Sequence, residues 1–98
     1  MSNPRTVKEA VDRMLEVMSD EEKQRVIRTP LRDISYLHST LGRQIRDGFG
    51  LWSGNKPLTA SCASYHKVKD QDIPPDQASL AIMIAIRARL TGEQKEGQ

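Results

Sequence analysis

The chain has almost nothing to cross-link and little to stack. Its 98 residues hold one cysteine (Cys62), one tryptophan (Trp52), one phenylalanine (Phe49) and two tyrosines. A lone cysteine cannot close an internal disulfide, which excludes the disulfide-framed secreted domains. Aromatics make up 4% of the residues, a thin supply for the stacking platforms that hold single-stranded nucleic acid. Long apolar runs are also missing. The longest, Leu80 to Ile86, spans seven residues, against the roughly 20 that a membrane span needs. The opening Met1-Ser2-Asn3-Pro4-Arg5 lacks the apolar stretch of a signal peptide. These absences lead to the expectation of a soluble cytoplasmic protein with no membrane segment.

Net charge is scarce too, at +2, but it is unevenly spread. Residues 1–22 carry three basic and six acidic side chains. Residues 23–46 carry six basic ones (Lys23, Arg25, Arg28, Arg32, Arg43, Arg46) against Asp33 alone. Packing the two segments together neutralises both. The same basic segment is where an anionic partner such as nucleic acid would bind.

What is present is helix punctuation. Thr6-Val7-Lys8-Glu9 is a capping-box pattern. Val7, Ala10, Val11, Met14, Leu15 and Met18 then recur at spacings of three and four, predicting a helix over about residues 7–18. Ser19-Asp20-Glu21-Glu22 repeats the box and opens a short helix ending near Arg28. Thr29-Pro30 starts a third, because proline fits the first helical turn. Leu31, Ile34, Leu37, Leu41 and Ile45 carry it to about residue 47, through Gly42 as a close helix contact, with Gly48 as the stop.

Ser53-Gly54-Asn55 reads as a turn, with Asn55 capping a short helix from Pro57 that sets Leu58, Cys62 and Tyr65 on one side. Lys67 to Pro75 is a polar loop. The run Leu80–Ile86 is apolar all round, which makes it a central helix. A buried strand is its alternative and would lack an obvious pairing partner. The resulting expectation is all-α: a compact orthogonal bundle of four to five helices in one domain over residues 6–91. Residues 1–5 are expected to be flexible and 92–98 disordered. The expected core is Val11, Met14, Leu15, Ile34, Leu37, Leu41, Ile45, Leu51, Trp52, Leu58, Met83, Ile84 and Ile86. Trp52 is taken as a structural anchor whose truncation costs about 3–5 kcal/mol.

Chemistry-bearing motifs are sparse. Cys62 and His66 are four apart and His38 lies on another helix, but no C-x-x-C or H-E-x-x-H is present, so no metal is expected. Gly48-Phe49-Gly50 follows a helix and precedes no Gly-Lys-Ser or Gly-Lys-Thr, so it is no phosphate loop and no cofactor is expected. Its glycines permit a left-handed turn that folds Phe49, Leu51 and Trp52 back onto the helices. Arg46 and Asp47 read as internal anchors, with Arg46 forking onto a carboxylate such as Asp76.

The pattern Leu37-His38-x-x-Leu41-Gly42-x-x-Ile45-Arg46-Asp47-x-Phe49-Gly50-Leu51-Trp52-x-x-Asn55, followed by Leu58, Cys62 and Pro75-Asp76-x-x-Ser79, resembles a widespread bacterial family of unknown function. The resemblance covers roughly residues 6–90, beginning at Glu9-Ala10-Val11, and Gly42 to Asn55 is its specific part. Asp47 stands where the family usually has Asn, and Pro74 where it has His before Pro-Asp, which argues against a His-dependent role there. The resemblance implies that His38, Arg46, Trp52, Asn55 and Asp76 belong to one constellation. It implies no activity.

The function expected from the residues is a non-enzymatic helical module that binds another protein or a second copy of itself. One alternative is nucleic-acid binding through residues 23–46, disfavoured by the near-neutral charge. The other is an enzyme in which His38 is general base, Arg46 holds an anion and Asp76 orients one of them.

Overall fold

The computed structural model describes residues 3–69 and 73–92. Five α-helices and one irregular helical stretch account for the described secondary structure, and no strand occurs among the described residues. Helix α1 spans Val7–Val17, α2 Asp20–Arg28, α3 Arg43–Gly48, α4 Lys56–Tyr65 and α5 Pro75–Thr91. The Ser19 box is complete, while at Thr6 only the forward half forms, because the Glu9 carboxylate accepts from Arg5 N instead. The Thr6 hydroxyl accepts from Glu9 N, and Ser19 and Glu22 form the reciprocal box. Asn55 Oδ1 caps α4 through Leu58 N. Gly92, at φ +75°, closes α5 in the left-handed conformation. Residues 93–98 of the expected tail and 70–72 of the expected loop lie outside the described residues.

Helix α5 is the spine and packs against every other helical element. Its Ala78, Ala81, Ile82, Met83, Ala85 and Ile86 are buried, as its all-round apolarity requires. Val7, Ala10, Val11 and Met14 of α1, Val26 of α2 and Leu58, Cys62 and Ala63 of α4 complete that core. Polar ties hold the periphery. Arg89 reaches Asp12 at 2.9 Å, Arg87 Nε donates to Thr29 O at 2.8 Å, and Val7 N donates to Ser61 Oγ at 2.9 Å. Within the N-terminal segment expected to be flexible, Pro4 is buried and its carbonyl accepts from Asn55.

Three expectations need correction. Residues 30–47 do not form one α-helix. Leu31–Leu37 is a 3₁₀-helix, His38–Gly42 a π-turn, and only Arg43–Gly48 is α-helical. The apolar stripe spans all three because Leu31, Ile34 and Leu37 are spaced by three and Leu37, Leu41 and Ile45 by four. A tight turn followed by a wide one preserves the average pitch of an α-helix. The second correction is Trp52, which is 62% exposed and outside the core. Phe49 and Leu51 do fold back, at 8% and 5% exposure. Gly50, at φ +72°, reverses the chain with Leu51 N donating to Arg46 O. The reversal turns Phe49 and Leu51 inward and leaves Trp52 on the outside. Third, Tyr65 is 37% exposed, and Leu15 and Ile84 are only partly buried.

Candidate functional site

The site grows from a charged side chain in the interior. Arg46, in the single α-helical stretch of residues 43–48, is 5% exposed. Gly42 makes room for it, since a Cβ there would stand 2.9 Å from Arg46 Nη1 and 3.4 Å from Met83 Cε. A buried guanidinium needs hydrogen bonds to offset its lost hydration, and two elements supply them. The π-turn presents His38, whose carbonyl accepts from Nη2 at 3.0 Å and whose Nδ1 lies 3.3 Å from Nη1. The first turns of α5 present Ser79, fully buried, whose Oγ accepts from Nη1 at 3.1 Å and donates to Asp76 O at 3.0 Å. Because Arg46 can only donate, this contact is a hydrogen bond in the tautomer that leaves Nδ1 bare.

Asp76 closes the cluster loosely. Its Oδ1 lies 3.7 Å from Arg46 Nε and 4.0 Å from His38 Nε2, and its side chain is 62% exposed. Charge-assisted bonds run to about 2.7–2.9 Å, so the Arg46 contact is an ion pair without a hydrogen bond and the His38 contact is an approach only. The expected fork of Arg46 onto Asp76 is therefore a long single-atom approach. Arg46 Nε is left as a buried side-chain atom with no hydrogen-bond partner.

Trp52 covers the guanidinium from outside. The Arg46 Cζ lies 5.9 Å from the indole centroid, within cation–π range. The indole Nε1–H donates to Asp47 Oδ1 at 2.9 Å, and Asp47 Oδ2 lies 3.6 Å from Arg43 Nε. An exposed ring is thus held at one edge by a carboxylate while its face approaches a buried cation.

His38, Arg46 and Asp76 therefore come together, and Trp52, held at its edge by Asp47, lies over the guanidinium. Asn55 makes its bonds elsewhere. It donates to Pro4 O at 3.0 Å and Phe49 O at 2.8 Å while capping α4. Ser79 stands in the Pro75-Asp76-x-x-Ser79 motif with no role expected of it. The signal was available, because a hydroxyl at the head of an otherwise apolar helix needs a buried partner.

His38 Nδ1 lies 3.3 Å from Arg46 Nη1, and its Nε2 lies 4.0 Å from Asp76 Oδ1. Four surface concavities, the largest about 560 Å³ between α1, α4 and α5, are lined by none of His38, Arg46 and Asp76. Cys62 is buried, and burial pushes its thiol up to about 12, which keeps it protonated near neutrality. His66 Nε2 lies 3.3 Å from Gln77 O. Among the described residues no three His, Cys, Asp or Glu side chains converge in a metal-binding group, and no helix is long and apolar enough to cross a membrane.

A family model covers residues 3–90, nearly the whole chain. The chain belongs to the DUF6794 family, a domain of unknown function. No curated protein and no solved structure matches it significantly. The DUF6794 match spans all five helices apart from the last residue of α5, so the Arg46 cluster and the apolar core both fall within the family domain.

Proposed function

We propose that this DUF6794 domain is a non-enzymatic binding module whose contact surface is centred on Trp52 and rimmed by His38, Asp47 and Asp76. The observation that carries this reading is the indole itself, 62% exposed yet fixed by Asp47 and backed by Arg46. Trp and Arg dominate binding hot spots, and a ring already held in place loses little freedom on association. A protein partner suits such a surface, since small-molecule sites are concave and none of the four concavities includes these residues.

Nucleic-acid binding through residues 23–46 has less support. Arg46 is turned inward, and Arg43 stands 3.6 Å from Asp47. Both are weakened as phosphate contacts.

The test compares the wild-type domain with Trp52→Ala, each immobilised and exposed to extract from the native host, after circular dichroism confirms that both are folded. A protein retained by the wild type and lost with Trp52→Ala, then shown to bind the purified domain directly, supports the reading. Light scattering over a concentration series covers a second copy as the partner. Identical retention by the two proteins, together with a strictly monomeric wild type, contradicts it.

A further inference from the structure

Resting on that reading, the polar cluster also defines what the partner brings. We propose that Arg46 and the first turn of α5 form a receiving site for one carboxylate of the partner protein, which takes over the place Asp76 now holds.

Two independent features converge there. Helix α5 is 17 residues long, and no side chain caps its N-terminus, where Pro74 is the cap residue and Pro75 follows. Aligned peptide dipoles make that end attractive to an anion. Beside it lies Arg46, 5% exposed, with its Nε–H unpartnered and directed at this turn, 3.7 Å from Asp76 Oδ1. A buried donor left unbonded is costly, and a charged one rewards any acceptor that reaches it.

Asp76 is that acceptor only in part. It balances the charge of Arg46, yet at 3.7 Å and 4.0 Å it bonds neither Arg46 Nε nor His38 Nε2, and its side chain is 62% exposed. It can swing into solvent without breaking a hydrogen bond to either group. The carboxylate that replaces it accepts from Arg46 Nε and from the open end of α5.

The charge count selects a monoanion. Arg46 is the one buried cation among the described residues, Asp76 stands 3.7 Å from its Nε, and Asp47 holds the indole that covers it. A doubly charged phosphate meets both carboxylates, whereas a single carboxylate replaces one negative charge with another. Trp52, over the guanidinium, supplies apolar contact for the residue bearing that carboxylate.

The experiment follows the Arg46 Nε–H and Gln77 amide signals by nuclear magnetic resonance during titration with acetate and, separately, with phosphate. Wild type is compared with Asp76→Asn, whose fold is checked by circular dichroism. Acetate is expected to shift both signals saturably. Asp76→Asn is expected to bind acetate roughly fourfold more tightly, the effect in water of removing a unit charge about 5 Å away. Acetate is also expected to bind more tightly than phosphate in both proteins. The proposal is overturned if the Arg46 Nε–H signal does not move in either protein, if Asp76→Asn fails to tighten acetate, or if phosphate binds more tightly than acetate. Failure here with Trp52-dependent partner retention intact removes the carboxylate site and leaves the binding module standing. Success here with no such retention does the reverse.

Discussion

The two ends of α5 are buried in opposite ways. Further along, Ile82, Met83 and Ile86 are at most 1% exposed in the apolar core that α5 shares with α1, α2 and α4. At its N-terminal end, Ser79 is equally buried but accepts from the Arg46 guanidinium and donates to the Asp76 carbonyl. Apolar burial is non-directional and tolerates many arrangements of similar volume. The polar end is satisfied only by particular angles and distances, and it leaves one donor unpaired. One helix thus carries the apolar core along most of its length and a directional polar cluster at its start. The difference teaches where substitution costs packing and where, on the proposed reading, it would act on binding.

The largest expected effect lies in the apolar end. Ile82→Ala removes a fully buried branched chain and should cost about 2–5 kcal/mol, measured by urea unfolding. In a domain of this size that is a large share of the total, and a loss well below this range would erase the contrast between the two ends. Asn55→Ala comes next. It deletes the α4 cap and the donors to Pro4 O and Phe49 O. A lost cap together with carbonyls left unpaired should cost roughly 2–3 kcal/mol, read by the same unfolding curves.

Smaller per pH unit is the alkaline loss of stability at Cys62. Its thiol ordinarily titrates near 9.0, and burial pushes it up to about 12 in the fold. The folded chain keeps the proton after the unfolded chain has lost it. This contribution is therefore complete below pH 9 and falls as pH rises toward 12, at no more than about 1.4 kcal/mol per pH unit. The check is the difference in alkaline unfolding slope between the wild type and Cys62→Ala. Equal slopes would contradict it.

How much of this was legible depends on the kind of force. The capping boxes at Thr6 and Ser19 and the all-round apolarity of α5 are local signals, and the helices begin and pack accordingly. Segment 31–48 was legible as helical but not as a sequence of 3₁₀, π and α turns. An apolar stripe records average pitch, and a tight turn followed by a wide one leaves that average unchanged. The approach of Arg46 to Asp76 could be anticipated, but its length, the role of Ser79 and the use of His38 as an acceptor required the π-turn geometry. Trp52 was misplaced for a related reason. Hydrophobicity argues for burying an indole, while the left-handed Gly50 turn decides which of Phe49, Leu51 and Trp52 faces inward.

The account stands most directly on the unfolding free energy of Trp52→Ala. An indole that is 62% exposed, with one hydrogen bond to an exposed carboxylate and one cation–π contact, contributes little to folding. Truncation is expected to change the urea-unfolding free energy by no more than about 1 kcal/mol. A loss of about 3–5 kcal/mol, the range for a buried aromatic, would place the ring in the core and remove the basis for a binding surface at Trp52.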